Sequence, residues 1–264
     1  MLTRKPIFPN VIEINHQLGQ LLGCNVYLLY DAEQEAGEWV LIDVGYDDTV
    51  DEICEVIRQL DFPFSRCQTI IATHADVDHV QGLAQAKQQI RTTVTAHHLA
   101  VEPLQTGDAV KTFASIENMQ MPAVEVEHEL SDGDVLKIGK LELEVWATPG
   151  HTDSQLAFRM GNLLFSGDNI FRDGCVGAID VHHGSNLLSF IESLQRIKAS
   201  DVEWLLPSHG PIFRKDDALL ESTIRRLEGY LHMADFGTCA VDWPLMDAFE
   251  SELADGKFPC LDQA

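Results

Sequence analysis

His74-Ala75-Asp76-Val77-Asp78-His79 places four side chains of metal-ligating type within six residues. It follows the apolar run Thr69-Ile70-Ile71-Ala72, which reads as a short strand. A loop leaving the end of that strand can turn all of these side chains toward one point. Imidazole and carboxylate together suit a divalent transition metal such as zinc, iron or manganese.

Three further segments end an apolar run on a ligand-type residue beside Gly or Pro. Val145-Trp146-Ala147-Thr148-Pro149-Gly150-His151 ends on histidine, and Leu163-Leu164-Phe165-Ser166-Gly167-Asp168 ends on aspartate. Trp204-Leu205-Leu206-Pro207-Ser208-His209-Gly210 supplies another histidine. Strand ends along one sheet edge converge, and neighbouring Gly or Pro admits close backbone approach.

Between these segments strands and helices alternate. Residues 26–30, 39–44, 69–72 and 92–96 are predicted strands, with helices over 47–60 and 80–90. Residues 97–121 read as irregular. Strands are expected at 124–130, 135–138, 141–147, 155–159, 163–166 and 204–206. Helices are expected at 186–198, with Ser185 as N-cap, and at 216–233. This order predicts an αββα four-layer sandwich of two mixed sheets with outer helices. Residues 1–234 form the expected domain. Residues 235–264 form a C-terminal extension, with Trp243, Leu245 and Phe249 apolar enough to dock on the body or on a second subunit.

The chain resembles the metallo-β-lactamase-fold superfamily from about Val26 to His209. The resemblance rests on Leu41-Ile42-Asp43-Val44-Gly45, the stretch from Thr73 to His79, Asp132-Gly133-Asp134, Thr148-Pro149-Gly150-His151-Thr152, Ser166-Gly167-Asp168 and Pro207-Ser208-His209-Gly210. It implies two adjacent metal sites. His74, Asp76 and His151 would hold the first, and Asp78, His79 and His209 the second, with Asp168 bridging. Asp43 would lie behind them and orient a ligand. The chain departs from the family's pattern at Asp76, where histidine is usual. A harder oxygen there improves the case for iron or manganese beside zinc. The alternative is that Asp76 stands outside the first site. Flavin-linked di-iron members carry glutamate at this position, but this chain shows no segment patterned like their flavodoxin-like domain.

The resemblance implies a hydrolase in which two divalent metals lower the pKa of a bridging water and supply hydroxide. Asp78 and Asp168 would hold and orient that water. The substrate would be small and ester-like: a lactone, thioester, carboxylic ester or phosphoester. The alternative is a di-iron protein that binds or activates dioxygen. Asp168 stands where the best-known zinc β-lactamases have cysteine, which argues against that activity. His182, His183 and Phe171 are candidates for contact with substrate. His97, His98, Phe165 and Trp146 read as structural, and His16, His128 and His232 have no motif around them.

Composition narrows the partners. The chain has 264 residues, 42 acidic and 18 basic, for a net charge of −24. Such a surface repels phosphate backbones, so a small-molecule substrate is expected rather than nucleic acid. No apolar run is long enough to span a bilayer, and no secretory signal follows the N-terminus. The six cysteines form no C-x-x-C pair and read as free thiols of a cytoplasmic protein. The apolar tail residues allow a homodimer.

Overall fold

Strands whose two faces are both apolar build the centre of the molecule. The computed structural model describes residues 6–15, 24–33, 37–179 and 184–231. The first sheet runs in chain order through β1 (Val11–Asn15), β2 (Val26–Tyr30), β3 (Trp39–Ile42), β4 (Cys67–Ile71), β5 (Thr93–His97) and β6 (His128–Leu130). The pairs β1–β2 and β2–β3 are antiparallel, and β3 through β6 are parallel. The second sheet comprises β7 (Val135–Ile138), β8 (Leu141–Ala147), β9 (Leu156–Met160), β10 (Leu163–Gly167), β11 (Trp204–Pro207) and β12 (Phe213–Arg214). Only β10–β11 is parallel in it.

The period of two along each strand sorts side chains into layers. On β2 and β3, Tyr27, Leu29, Val40 and Ile42 point between the sheets, where they join Val145, Phe158, Phe165 and Leu206. Val26, Leu28, Trp39 and Leu41 point the other way, toward α1 (Val50–Gln59) and α3 (Leu83–Ile90). Leu164 and Leu205 of the second sheet face α5 (Leu187–Ala199) and α6 (Asp217–Tyr230). Helix, sheet, sheet and helix therefore enclose three apolar layers, and the αββα sandwich is the observed fold. Tyr27 and Phe165 meet edge to face across the middle layer, ring centroids 5.2 Å apart.

Several local readings change. The 97–121 stretch contains α4 (His98–Thr106), which the sequence conceals because Pro103 lies inside it. The strand expected at 124–130 shortens to β6, since Val124 and Val126 pack under the helix layer instead. Asn186, not Ser185, caps α5: its side chain accepts the Ser189 N–H, while the Ser185 hydroxyl donates to Gly150 O at 3.0 Å. β1 and β12 were not expected. The C-terminal extension lies outside the described residues. No helix among the described residues is long and apolar enough to cross a membrane.

His97 has the structural role expected of it. Its Nδ1 accepts the Leu99 N–H at 3.2 Å and caps α4. Burial, reinforced by neighbouring His98, lowers its pKa to about 4 from 6.5. The unfolded chain therefore takes up this proton first, and stability falls as pH drops from about 6.5 toward 4. The contribution is at most about 3 kcal/mol, less where solvent reaches the ring. Urea unfolding at pH 7 and pH 5 should show a smaller pH-dependent loss in His97→Asn, which keeps a capping acceptor that does not titrate. An equal loss in both proteins would contradict this assignment.

Candidate metal centre

The ends of β3, β4, β8, β10 and β11 open on one edge of the sandwich, and the loops beyond them carry the ligand-type residues. β3 ends at Asp43, whose backbone is left-handed (φ 57°). Aspartate is among the few residues other than glycine that tolerate this region. The turn sends its side chain, 0% exposed, under the loop after β4. Its Oδ1 accepts the Thr73 N–H and its Oδ2 accepts the Thr73 hydroxyl, both at 2.8 Å. His79 Nδ1 lies 3.0 Å from the same Oδ2 and donates to it. With the Thr73 proton committed to Asp43, Thr73 Oγ1 accepts from His74 Nδ1 at 3.0 Å. Both bonds turn Nε2 of His79 and of His74 inward, and in the neutral rings they place the proton on Nδ1.

The short helix α2 (Val77–Val80) follows, and its carbonyl at His79 accepts the N–H groups of Val44 and Gly45. Across the sandwich, Leu156 N–H donates to Thr73 O at 2.7 Å, a direct backbone bond from the second sheet. His151 sits after Gly150, whose φ is 145° and where a Cβ would lie 2.3 Å from Phe190 Cα on α5. Only glycine lets the loop pass that close. His151 Nδ1 donates to Ala178 O at 2.8 Å, which leaves its Nε2 facing the cluster. The His209 loop is anchored by Asn25, whose amide donates to Pro207 O and Gly210 O, and by the Tyr27 hydroxyl on Pro207 O.

These supports bring the predicted residues together. Asp76 Oδ2 is 3.0 Å from His151 Nε2 and 3.5 Å from His74 Nε2. Asp78 Oδ2 is 3.5 Å from His79 Nε2 and 3.4 Å from His209 Nε2. Asp168 lies between the groups: its Oδ2 is 3.3 Å from His209 and 3.7 Å from His151, and its Oδ1 is 3.7 Å from His79. The donor atoms of His74, Asp76 and His151 lie within 4.8 Å of one another, as do those of Asp78, His79 and His209. Asp76 is buried and points into the cluster. Phe171 meets His209 edge-on at 5.5 Å and lines a cavity of about 500 Å³ beside it. A second cavity, about 270 Å³, opens on the other flank between Ala75, His98, Lys111 and Thr152. His182 and His183 lie outside the described residues.

Electrostatics places acidic groups and imidazoles in mutual balance, so that a bound cation would displace protons from the imidazoles. Burial alone would depress the imidazoles, but the carboxylates prevail. Asp78 and Asp168, with the hydrogen-bonded Asp43, hold His79 well above its ordinary pKa, while Asp76 and Asp168 raise His151 and Asp168 raises His209. Burial pushes Asp76 and Asp168 upward, yet the surrounding imidazoles hold both below the usual carboxylate range. Both stay ionised as oxygen donors. His74 Nε2 and Asp168 Oδ1 are buried without a hydrogen-bond partner. Two unsatisfied acceptors at the centre of such a cluster are costly unless a cation satisfies them, so the residues present fit a metal.

The model of the metallo-beta-lactamase superfamily matches residues 19–209. The chain belongs to that superfamily. A 128-residue stretch, 48% of this chain, is 34% identical to hydroxyacylglutathione hydrolase of Methylobacterium nodulans and spans 43% of that relative, less than half its length. The probable polyketide biosynthesis zinc-dependent hydrolase BaeB of Bacillus velezensis is 27% identical, with 80% of this chain and 85% of that one covered. Among solved structures, a metallo-beta-lactamase from Cronobacter sakazakii shares the fold at TM-score 0.65 and 20% identity, over 97% of this chain and 95% of that one. TTHA1623, solved in a di-iron-bound form, matches at TM-score 0.62 and 26% identity, over 77% of this chain and 94% of that one. The chain is a metallohydrolase-fold protein with a buried His/Asp metal-binding cluster.

Thr73, Asn25 and Gly177 were not singled out from the sequence. Thr73 adjoins the motif, but its role depends on Asp43, distant in the chain. A Cβ at Gly177 would lie 2.7 Å from the His151 ring, so this glycine sets where that ring rests. Asp43→Asn keeps a residue suited to the left-handed turn while removing the anionic acceptor behind His79. It should weaken zinc affinity roughly 10- to 100-fold in competition with a chromogenic chelator. Unchanged affinity would remove Asp43 as an orienting group.

Proposed function

We propose that this protein is a binuclear metal-dependent hydrolase of a small ester-like substrate: a lactone, thioester, carboxylic ester or phosphoester. The observation that carries this reading is the pair of donor sets with Asp168 between them. In it, His74, Asp76 and His151 would hold one divalent cation and Asp78, His79 and His209 another, with Asp168 placed between the two sets. Zinc is the first candidate. When bound, such cations supply Lewis acidity and bring the pKa of water toward neutrality.

The chain's residues supply orientation. Asp78 Oδ2 and Asp168 accept hydrogen bonds from the attacking water and fix its direction. Asp168, held ionised by the surrounding imidazoles, serves as an orienting acceptor. His209, whose side chain is 27% exposed, meets the substrate at the cavity, with Phe171 excluding water from that flank. The hydroxyacylglutathione hydrolase relatives favour thioesters within the class.

A second reading, a di-iron protein that binds or activates dioxygen, draws on Asp76 and on the di-iron-bound neighbour. A panel of lactones, thioesters, carboxylic esters and phosphoesters, assayed with zinc, manganese and iron forms, separates the two. Hydrolysis of at least one class is expected, lost on chelation and restored by metal. Asp168→Asn should lower kcat roughly a hundredfold or more. Stoichiometric iron with an O₂-sensitive absorption band and no turnover would favour the second reading. Asp76→His should shift metal content toward zinc, and unchanged content would remove Asp76 as the determinant of metal choice.

A further inference from the structure

The cavity beside His209 does not end at Phe171. Its wall continues through Arg172, Gly210 and Pro211, and Arg172 also lines a neighbouring cavity of about 460 Å³ formed with Trp204, Ile212 and Arg214. The two cavities share Arg172, and taken as one groove their lining includes an imidazole of the metal centre, His209, and two arginines.

Those arginines stand out against the charge of the chain. With 42 acidic residues to 18 basic, cations readily find carboxylates: Lys87, Lys111, Arg159, Arg196 and Lys198 are all ion-paired. Neither Arg172 nor Arg214 has a carboxylate within salt-bridge distance among the described residues, although Asp173 and Asp216 line the same groove. Those carboxylates accept from backbone. Asp173 takes the Cys175 N–H at 3.0 Å, and Asp216 caps α6 through the N–H groups of Ala218 and Leu219. Arg214 is held in place without losing its donors. Its guanidinium lies 5.3 Å over the Trp204 ring, which Phe8 supports edge-on at 5.5 Å. A stacked guanidinium keeps its N–H edge for an oxyanion.

We propose that this groove is a substrate subsite, and that the group it selects is an anion, a carboxylate or a phosphate, held by Arg172 and Arg214. The inference rests on the hydrolase reading and narrows it: the reacting ester group sits at the metal centre, an apolar spacer lies along Phe171 and Pro211, and the substrate ends beyond it in the anion. The net charge of −24 repels anions from the rest of the surface, so discrimination depends on this pair.

The test is binding of three non-hydrolysable thioether probes to the full-length protein by calorimetry. The probes share an alkyl spacer and end in a carboxylate, a phosphate monoester or a neutral carboxamide. Either anion should bind about tenfold or more tighter than the carboxamide, as charge-assisted hydrogen bonds to a guanidinium imply. The tighter anion identifies the head group. Arg172→Gln combined with Arg214→Gln should bring that ratio close to one, Arg→Lys at both positions should restore part of it, and Lys137→Gln, which removes a charge elsewhere, should leave it intact. Equal binding of all three probes by the unmodified protein, or an unaltered ratio in the double variant, overturns the subsite. Selective binding with no turnover of any ester removes the hydrolase reading and leaves the subsite. Turnover with no preference for charge does the reverse.

Discussion

A single buried carboxylate orders this edge of the molecule. Asp43 has no exposure to water, and an ion so placed costs several kcal/mol unless its lone pairs are engaged. Here the Thr73 amide, the Thr73 hydroxyl and the His79 ring engage them. The same bonds tie the end of β3 to the loop after β4 and fix the tautomer of His79. Through Thr73 they fix that of His74 as well. The left-handed backbone at Asp43, unfavourable by roughly 1–2 kcal/mol for most side chains, persists because these contacts hold it. Much of the cluster's geometry is therefore set before any cation arrives.

The scaffold behind that carboxylate is apolar. Three hydrophobic layers separate helices and sheets, and single large-to-small changes at positions such as Phe158 or Phe165 cost about 3–5 kcal/mol in such interiors. The many surface ion pairs contribute at most about 1 kcal/mol each. Rigidity at the strand ends thus comes from packing, and the loops inherit it. Gly150 illustrates the coupling: its lack of a side chain lets the His151 loop lie against α5, so the outer helix helps to position an imidazole of the cluster.

The sandwich was legible because its central strands are apolar on both faces, its outer strands alternate apolar and polar residues, and the ligand-type residues stand at strand ends. Val26–Tyr30, Val135–Ile138 and Leu141–Ala147 fall where the residue pattern puts them. α4 was hidden because a proline, Pro103, lies inside it, where the residue type argues against a helix. β12 is a two-residue strand whose pairing is decided by β11 rather than by its own sequence. In the centre, His74, Asp76, Asp78 and His79 are close in sequence, so their convergence could be anticipated. Thr73, Asn25 and Gly177 act through partners distant in the chain, and no local pattern marks such contacts. Arg172 follows β10 and Arg214 lies on β12, and they share a groove because β11 pairs with both strands.

The proposed ligands are divided between the two halves of the sandwich. His74, Asp76, Asp78 and His79 follow the first sheet's β4, while His151, Asp168 and His209 follow strands of the second. Neither half carries a complete set, so a cation would cross-link them much as a disulfide does, by closing a long loop of the unfolded chain. Its retention would then report whether the two sheets have docked. During folding, a half-built sandwich would have no closed site in which to trap the wrong ion.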